Sequence, residues 1–141
     1  MKYRTTLGAA ALATVAMAGP AKAADEIVIG MMCDRTGPTA VTGTVMCPGG
    51  HDYARLINKQ GGIGNGCMIK VYEIDHEYKV PPAVEAYQTF KADNAVLVDP
   101  FGTPMVYALV QKMEEDKIPG TSAGFGSAAA GNGEAYPYMF P

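Results

Sequence analysis

Gly120-Thr121-Ser122-Ala123-Gly124 matches a catalytic spacing, the G-x-S-x-G turn that exposes a nucleophilic serine in α/β-hydrolases. A short apolar segment precedes it, as that turn requires. The partners do not follow. Both histidines, His51 and His76, lie upstream, whereas that fold runs serine, acid, histidine, and only 17 residues remain after Gly124. A hydrolase using Ser122 is the weakest of the functional readings. Asp75-His76-Glu77 offers three metal-ligating groups in a row. Successive strand residues point to opposite faces, so the three do not converge on one ion, and the stretch reads as a polar strand end. His51 stands alone on the polar face of a helix. No C-x-x-C pair is present, so neither a zinc site nor a redox dithiol is supported. Gly61-Gly-Ile-Gly-Asn-Gly66 fails the G-x-G-x-x-G spacing at Cys67. It also follows a helix rather than opening one, and reads as a turn. No metal, cofactor or catalytic residue is expected.

Loop-to-helix junctions carry more. Asp99-Pro-Phe-Gly102-Thr103-Pro leads straight into a helix, offering backbone N–H groups, a hydroxyl and the positive end of a helix dipole. Thr36-Gly37-Pro38 and Thr121–Gly126 make similar offers. Singly, each is equally well read as turn and cap chemistry. Their value depends on whether the fold gathers them.

The pattern of elements says that it does. Ile27–Met32 is a buried strand, and a helix is predicted to start near Thr44–Pro48, with Tyr53, Leu56 and Ile57 on one face. Met68–Ile74 alternates as a strand. Val80-Pro-Pro opens a second helix with Val84, Tyr87 and Phe90 as its stripe. Ala95–Val98 is apolar on both faces, as a central parallel strand is. Pro104–Glu115 is a third helix carrying Met105, Leu109 and Met113, and short strands follow at Ile118–Thr121 and Tyr138–Phe140. Strand and helix alternating in this way give an α/β fold, a doubly wound, mostly parallel sheet in three layers. Ligands of such sheets bind beyond the carboxyl ends of the strands. Cys33–Gly37, Asp75–Val80, Asp99–Pro104 and Thr121–Gly126 all lie there.

Charge and the amino terminus set the surroundings. Met1-Lys-Tyr-Arg, an apolar centre at Leu7–Ala18, Gly19-Pro20 and Ala21-Lys22-Ala23 form the three-part pattern of a cleaved export signal over residues 1–23. Removing it leaves 118 residues with 8 basic against 14 acidic side chains, a net charge of −6. That balance, without a Lys/Arg run, excludes a nucleic-acid binder and a protein held on anionic lipid. Export makes a disulfide possible. Cys33 closes the first strand and Cys47 lies near the start of the next helix, at the same sheet edge. Cys67 lies at the opposite edge. The spacing favours a Cys33–Cys47 bridge, with buried free thiols as the alternative.

Taken together, Ile27-Val-Ile-Gly30, Thr36-Gly-Pro38, Asn58-Lys-Gln-Gly-Gly62, Pro100-Phe-Gly-Thr103, Lys117-Ile-Pro119 and Tyr136-Pro-Tyr-Met-Phe140 resemble the extracytoplasmic solute-binding proteins of ABC transporters. The group is the branched-chain amino acid/amide type, with the type I periplasmic-binding fold. The resemblance implies a two-lobed periplasmic receptor, expected as a monomer, that delivers a small polar solute to membrane permease subunits. It implies ligand contacts from Gly102, Thr103, Thr121, Ser122, Ala123, Gly124 and Phe125, with Thr36 near the cleft mouth. Departures occur where serine pairs usually stand, here Gly102-Thr103, and at Cys47-Pro48 and Asp75-His-Glu-Tyr78. Tyr78 and Phe125 either favour a more apolar or aromatic ligand or serve packing. Family members are two to three times as long, so residues 24–141 are expected to form part of an N-terminal lobe. A ligand-sensing domain of a receptor or regulator with the same fold is the alternative.

Overall fold

The structure, a computed structural model, describes residues 25–122 and 128–140. Its elements run β1 (Glu26–Cys33), α1 (Ala40–Lys59), β2 (Met68–Asp75), α2 (Val80–Ala92), β3 (Leu97–Asp99), α3 (Thr103–Asp116) and a single 3₁₀ turn at Ala128–Gly131. β1 lies between β2 and β3, and all pairings are parallel. The register runs from Glu26 opposite Met68 to Cys33 opposite Asp75, and from Ile29 opposite Leu97 to Met31 opposite Asp99. Beyond β3 the predicted fourth and fifth strands shrink to single bridged residues. Gly120 pairs with Val98, and Met139 pairs with Gly120, both in parallel. Among the described residues no helix is long and apolar enough to cross a membrane.

Period-two alternation along β1 and β2 sends their side chains to two different faces. Val28, Met32, Tyr72 and Ile74 meet α2 and α3, where Tyr87, Phe90, Met105, Leu109 and Met113 are buried with Val98. The predicted stripes of these two helices are the ones that pack, joined by Ala83, Ala86, Val106 and Val110. Proline in the first turn of each helix fixes φ where no intrahelical N–H is needed.

The other face is different, and so is its helix. α1 begins at Ala40, several residues before the expected start, so Pro48 falls inside it. The cause is Asp34, whose carboxylate accepts from the Gly37 and Thr39 amides and the Thr39 hydroxyl and so organises the turn early. Pro48 cannot donate to the Thr44 carbonyl, but Thr44 is exposed and solvent can serve it. The buried residues of α1 are Gly43, Cys47 and Ala54 rather than the expected Tyr53 and Leu56, which are 66% and 49% exposed. Small residues bring this helix close to the sheet: a Cβ at Gly43 would collide with the Asp34 carbonyl oxygen. Large side chains flank the contact instead of filling it. At the far end of α1, Asn58 pairs with both backbone groups of Ile69 at 2.8 Å, closing part of the free edge of β2.

Cys33 and Cys47 are joined by a disulfide between β1 and α1, with their α-carbons 6.3 Å apart. Cys67 is a half-buried free thiol. Gly61–Gly66 forms the turn between α1 and β2.

Candidate ligand-binding site

Asp34 and Asp75, at the carboxyl ends of β1 and β2, organise the loops around the site. Burial alone would raise the Asp34 carboxyl. The Thr39 hydroxyl and the Thr39 and Gly37 amides, at 2.6–2.7 Å, outweigh it and hold the group below the usual carboxylate range. Asp75 accepts from the Thr36 hydroxyl at 2.7 Å and from the Arg35 and Glu77 amides at 3.1 and 3.0 Å. The first carboxylate fixes the start of α1, and the second ties the β1–α1 loop to the β2–α2 loop.

The β2–α2 loop holds an unusual turn. Glu77 and Tyr78 are both left-handed, at φ 54° and 57°, a conformation that costs a residue with a Cβ on the order of 1–2 kcal/mol. The turn lays the Tyr78 ring on Gly102, which has φ 103° and no room for a side chain. A Cβ there would sit 2.6 Å from the ring. Gly102 in turn is the residue before α3, so Tyr78 is carried to the positive end of that helix.

Together these loops border a half-open cavity of about 170 Å³ lined by Thr39, Thr42, Tyr78, Phe101, Gly102 and Thr103. None of the six is charged. The hydroxyls and the amino end of α3 suit an acceptor-rich group such as a carboxylate, and the two rings suit apolar bulk. Of the residues singled out in the sequence, Gly102 and Thr103 line this cavity. Thr36 does not, since its hydroxyl is donated to Asp75. The Thr121 hydroxyl is donated to Asp99 at 3.1 Å, and burial pushes the Asp99 carboxyl above its usual range. Ser122 is buried, and its hydroxyl has no hydrogen-bond partner among the described residues. Ala123, Gly124 and Phe125 lie outside the described residues.

Three lining residues escaped a reading for chemistry. Thr39 and Thr42 were hidden by the late helix start; the spacing Asp34-x-x-Gly37-x-Thr39 was the available signal. Phe101 had no signal beyond being aromatic in a loop, whereas Tyr78, named in the sequence for either an aromatic ligand or packing, lines the cavity. Two histidine expectations also change. His51 is not alone: its Nε2 lies 2.8 Å from Glu73, which also takes two bonds from the Arg35 guanidinium. Those partners hold the Glu73 carboxyl below its usual range. His76 directly follows the end of β2, as a polar strand end would, but it is fully buried, and burial pushes its pKa down against the pull of Asp34 and of the His76 and Phe101 backbone.

Residues 26–141 match the family model described as periplasmic binding protein. No similar sequence is found among the curated proteins. Solved structures do match. A protein described as an ABC transporter permease from the Pseudomonas fluorescens group is 34% identical over 83% of this chain and 29% of its own, with a TM-score of 0.72. A fatty acid ABC transporter substrate-binding protein from Thermomonospora curvata is 28% identical over 82% of this chain and 28% of its own, at 0.72. The branched-chain amino acid transporter substrate-binding protein LivJ from Streptococcus pneumoniae, solved with isoleucine, is 23% identical over 82% and 33%, at 0.73. The chain thus spans about a third or less of the length of these structures. A family match beginning at the first residue of β1 and running to Pro141 settles the relationship: the chain belongs to the periplasmic binding protein family.

Proposed function

We propose that this protein captures a small polar solute, an amino acid, an amide or another small carboxylate, in the periplasm and hands it to an ABC permease. The observation that carries this is the uncharged, hydroxyl-lined cavity at the carboxyl edge of the sheet, closed on one side by the amino end of α3. Isoleucine in the LivJ structure and the fatty acid in the name of the Thermomonospora protein are both carboxylates, the group that such a helix end favours. Gly102 and Thr103 are the central contacts in this reading, with Thr39 and Thr42 beside them. Ser122, Ala123, Gly124 and Phe125 remain the further ligand contacts of this reading, whereas Thr36 and Thr121 act by bracing loops. Residues 1–23 direct export, and residues 24–141 contribute part of the N-terminal lobe of a two-lobed, monomeric receptor.

The test uses the protein expressed from its complete gene, screened by thermal shift against amino acids, amides and small carboxylates. A ligand at 100 times its Kd adds about 2.7 kcal/mol and raises Tm by several degrees. Thr103→Ala should then weaken binding by about 1–3 kcal/mol. Folded protein that shifts with nothing in a broad screen would overturn the proposal, and unchanged affinity in Thr103→Ala would remove that residue from the site.

A further inference from the structure

Three aromatic rings stand together behind and beside the cavity. The His76 ring centroid is 6.3 Å from that of Tyr78 and 6.2 Å from that of Phe101. Tyr78 and Phe101 line the cavity, while His76 is fully buried behind them. Two consecutive left-handed residues, Glu77 and Tyr78, and a glycine with no room for a Cβ are what seat the Tyr78 ring there. Left-handed residues that carry a side chain cost stability. Packing alone does not call for that arrangement, since an ordinary turn would place an aliphatic side chain against the same core at less cost. What the arrangement provides is two aromatic rings, each tilted by 40–45° against the buried His76 ring, facing a cavity with hydroxyls and a helix amino end.

We infer that Tyr78 and Phe101 form a specificity wall for a planar ring, so that the solute is a monocyclic aromatic carboxylate. The inference rests on the solute-binding reading above and narrows it to a class. Aromatic groups gain from edge-to-face or offset stacking beyond the area they bury, and a saturated ring of the same size does not. His76 packs against both rings, its centroid 6.3 Å from that of Tyr78 and 6.2 Å from that of Phe101.

Benzoate and cyclohexanecarboxylate are the probes, equal in charge and close in size but different in planarity, with isoleucine as the acyclic control. Binding is measured by calorimetry on the protein expressed from its complete gene. The wild type should bind benzoate on the order of tenfold more tightly than cyclohexanecarboxylate, the ratio that stacking energies give. Tyr78→Ala should erase that ratio, and Tyr78→Phe should keep it. Equal or tighter binding of cyclohexanecarboxylate or isoleucine overturns the inference, as does a ratio that survives Tyr78→Ala. The wild-type comparison needs no variant, so it decides the matter even where Tyr78→Ala does not fold. Binding of none of the three while an amide or another amino acid binds defeats the aromatic class and leaves solute capture standing. Binding of nothing defeats both.

Discussion

The two faces of the sheet are held by different kinds of force. On the α2/α3 face, Met32, Tyr87, Phe90, Val98, Met105 and Leu109 are all fully buried in one apolar cluster. On the α1 face the buried cluster is only Met31, Cys33 and Cys47, with Val71 against it. α1 compensates with directional bonds: a disulfide, the Asp34 cap, the Asn58–Ile69 pair, and the Glu73 carboxylate between Arg35 and His51. An apolar groove beside Ile29, Tyr53, Ile69 and Val71 remains open along it. The contrast bears on function, because α1 brings Thr39 and Thr42 to the cavity. The helix that must be placed accurately is fixed by bonds with defined geometry, and the helices that supply bulk stability are fixed by area.

The largest test of this contrast compares two aromatic side chains. Phe90→Ala should cost about 3–5 kcal/mol in denaturant unfolding, since it empties a fully buried site. Tyr53→Ala, on the α1 face, should change stability by no more than about 0.5 kcal/mol. A Tyr53 effect approaching that of Phe90 would mean that α1 is held by apolar burial after all. Next in size is the crosslink. Cys33 and Cys47 are 14 residues apart, and a loop of that length constrains the unfolded chain by about 3 kcal/mol. Replacing both by serine should lower stability by about that amount. Hydrogen exchange should show the loss concentrated in α1, and equal loss across α2 and α3 would break the comparison.

The same contrast explains what was legible in the sequence. Apolar periodicity reports burial by area, so the stripes of α2 and α3 and the order of strands and helices could be read directly. On α1 the periodic large residues Tyr53 and Leu56 pointed to the wrong face, because close approach through Gly43, Cys47 and Ala54 leaves no room for them. The start of α1 was misread for a related reason. Pro48 is a strong local signal, but the Asp34 carboxylate reaching Thr39 decides where the helix begins. At the cavity, Gly102-Thr103 was visible as a loop entering a helix. The Tyr78 wall was not, since it depends on a left-handed turn at Glu77-Tyr78 that no glycine announces.

The smallest expected effect separates the faces by pH. The Arg35 guanidinium, with His51 beside it, holds the folded-state pKa of Glu73 below its ordinary 4.5. A carboxyl depressed in this way adds stability above its unfolded pKa and loses it as pH falls through the lower folded value. Asp34, likewise depressed by its bonds to Thr39 and Gly37, acts in the same direction and on the same helix. Acidification from neutral to below pH 4.5 should therefore loosen α1 before the α2/α3 face, where Asp116 is depressed in the same way by Lys91 and Tyr87 but apolar burial supplies most of the packing. Hydrogen exchange at the two pH values reads this directly, as a fall in α1 protection relative to α3. Glu73→Gln keeps the size of the side chain but removes its charge, so it should lower α1 protection at neutral pH and flatten part of the change on acidification. A uniform loss of protection across both faces, or an unaltered pH response in Glu73→Gln, would show that the polar bonds around Glu73 do not hold the helix that carries Thr39 and Thr42.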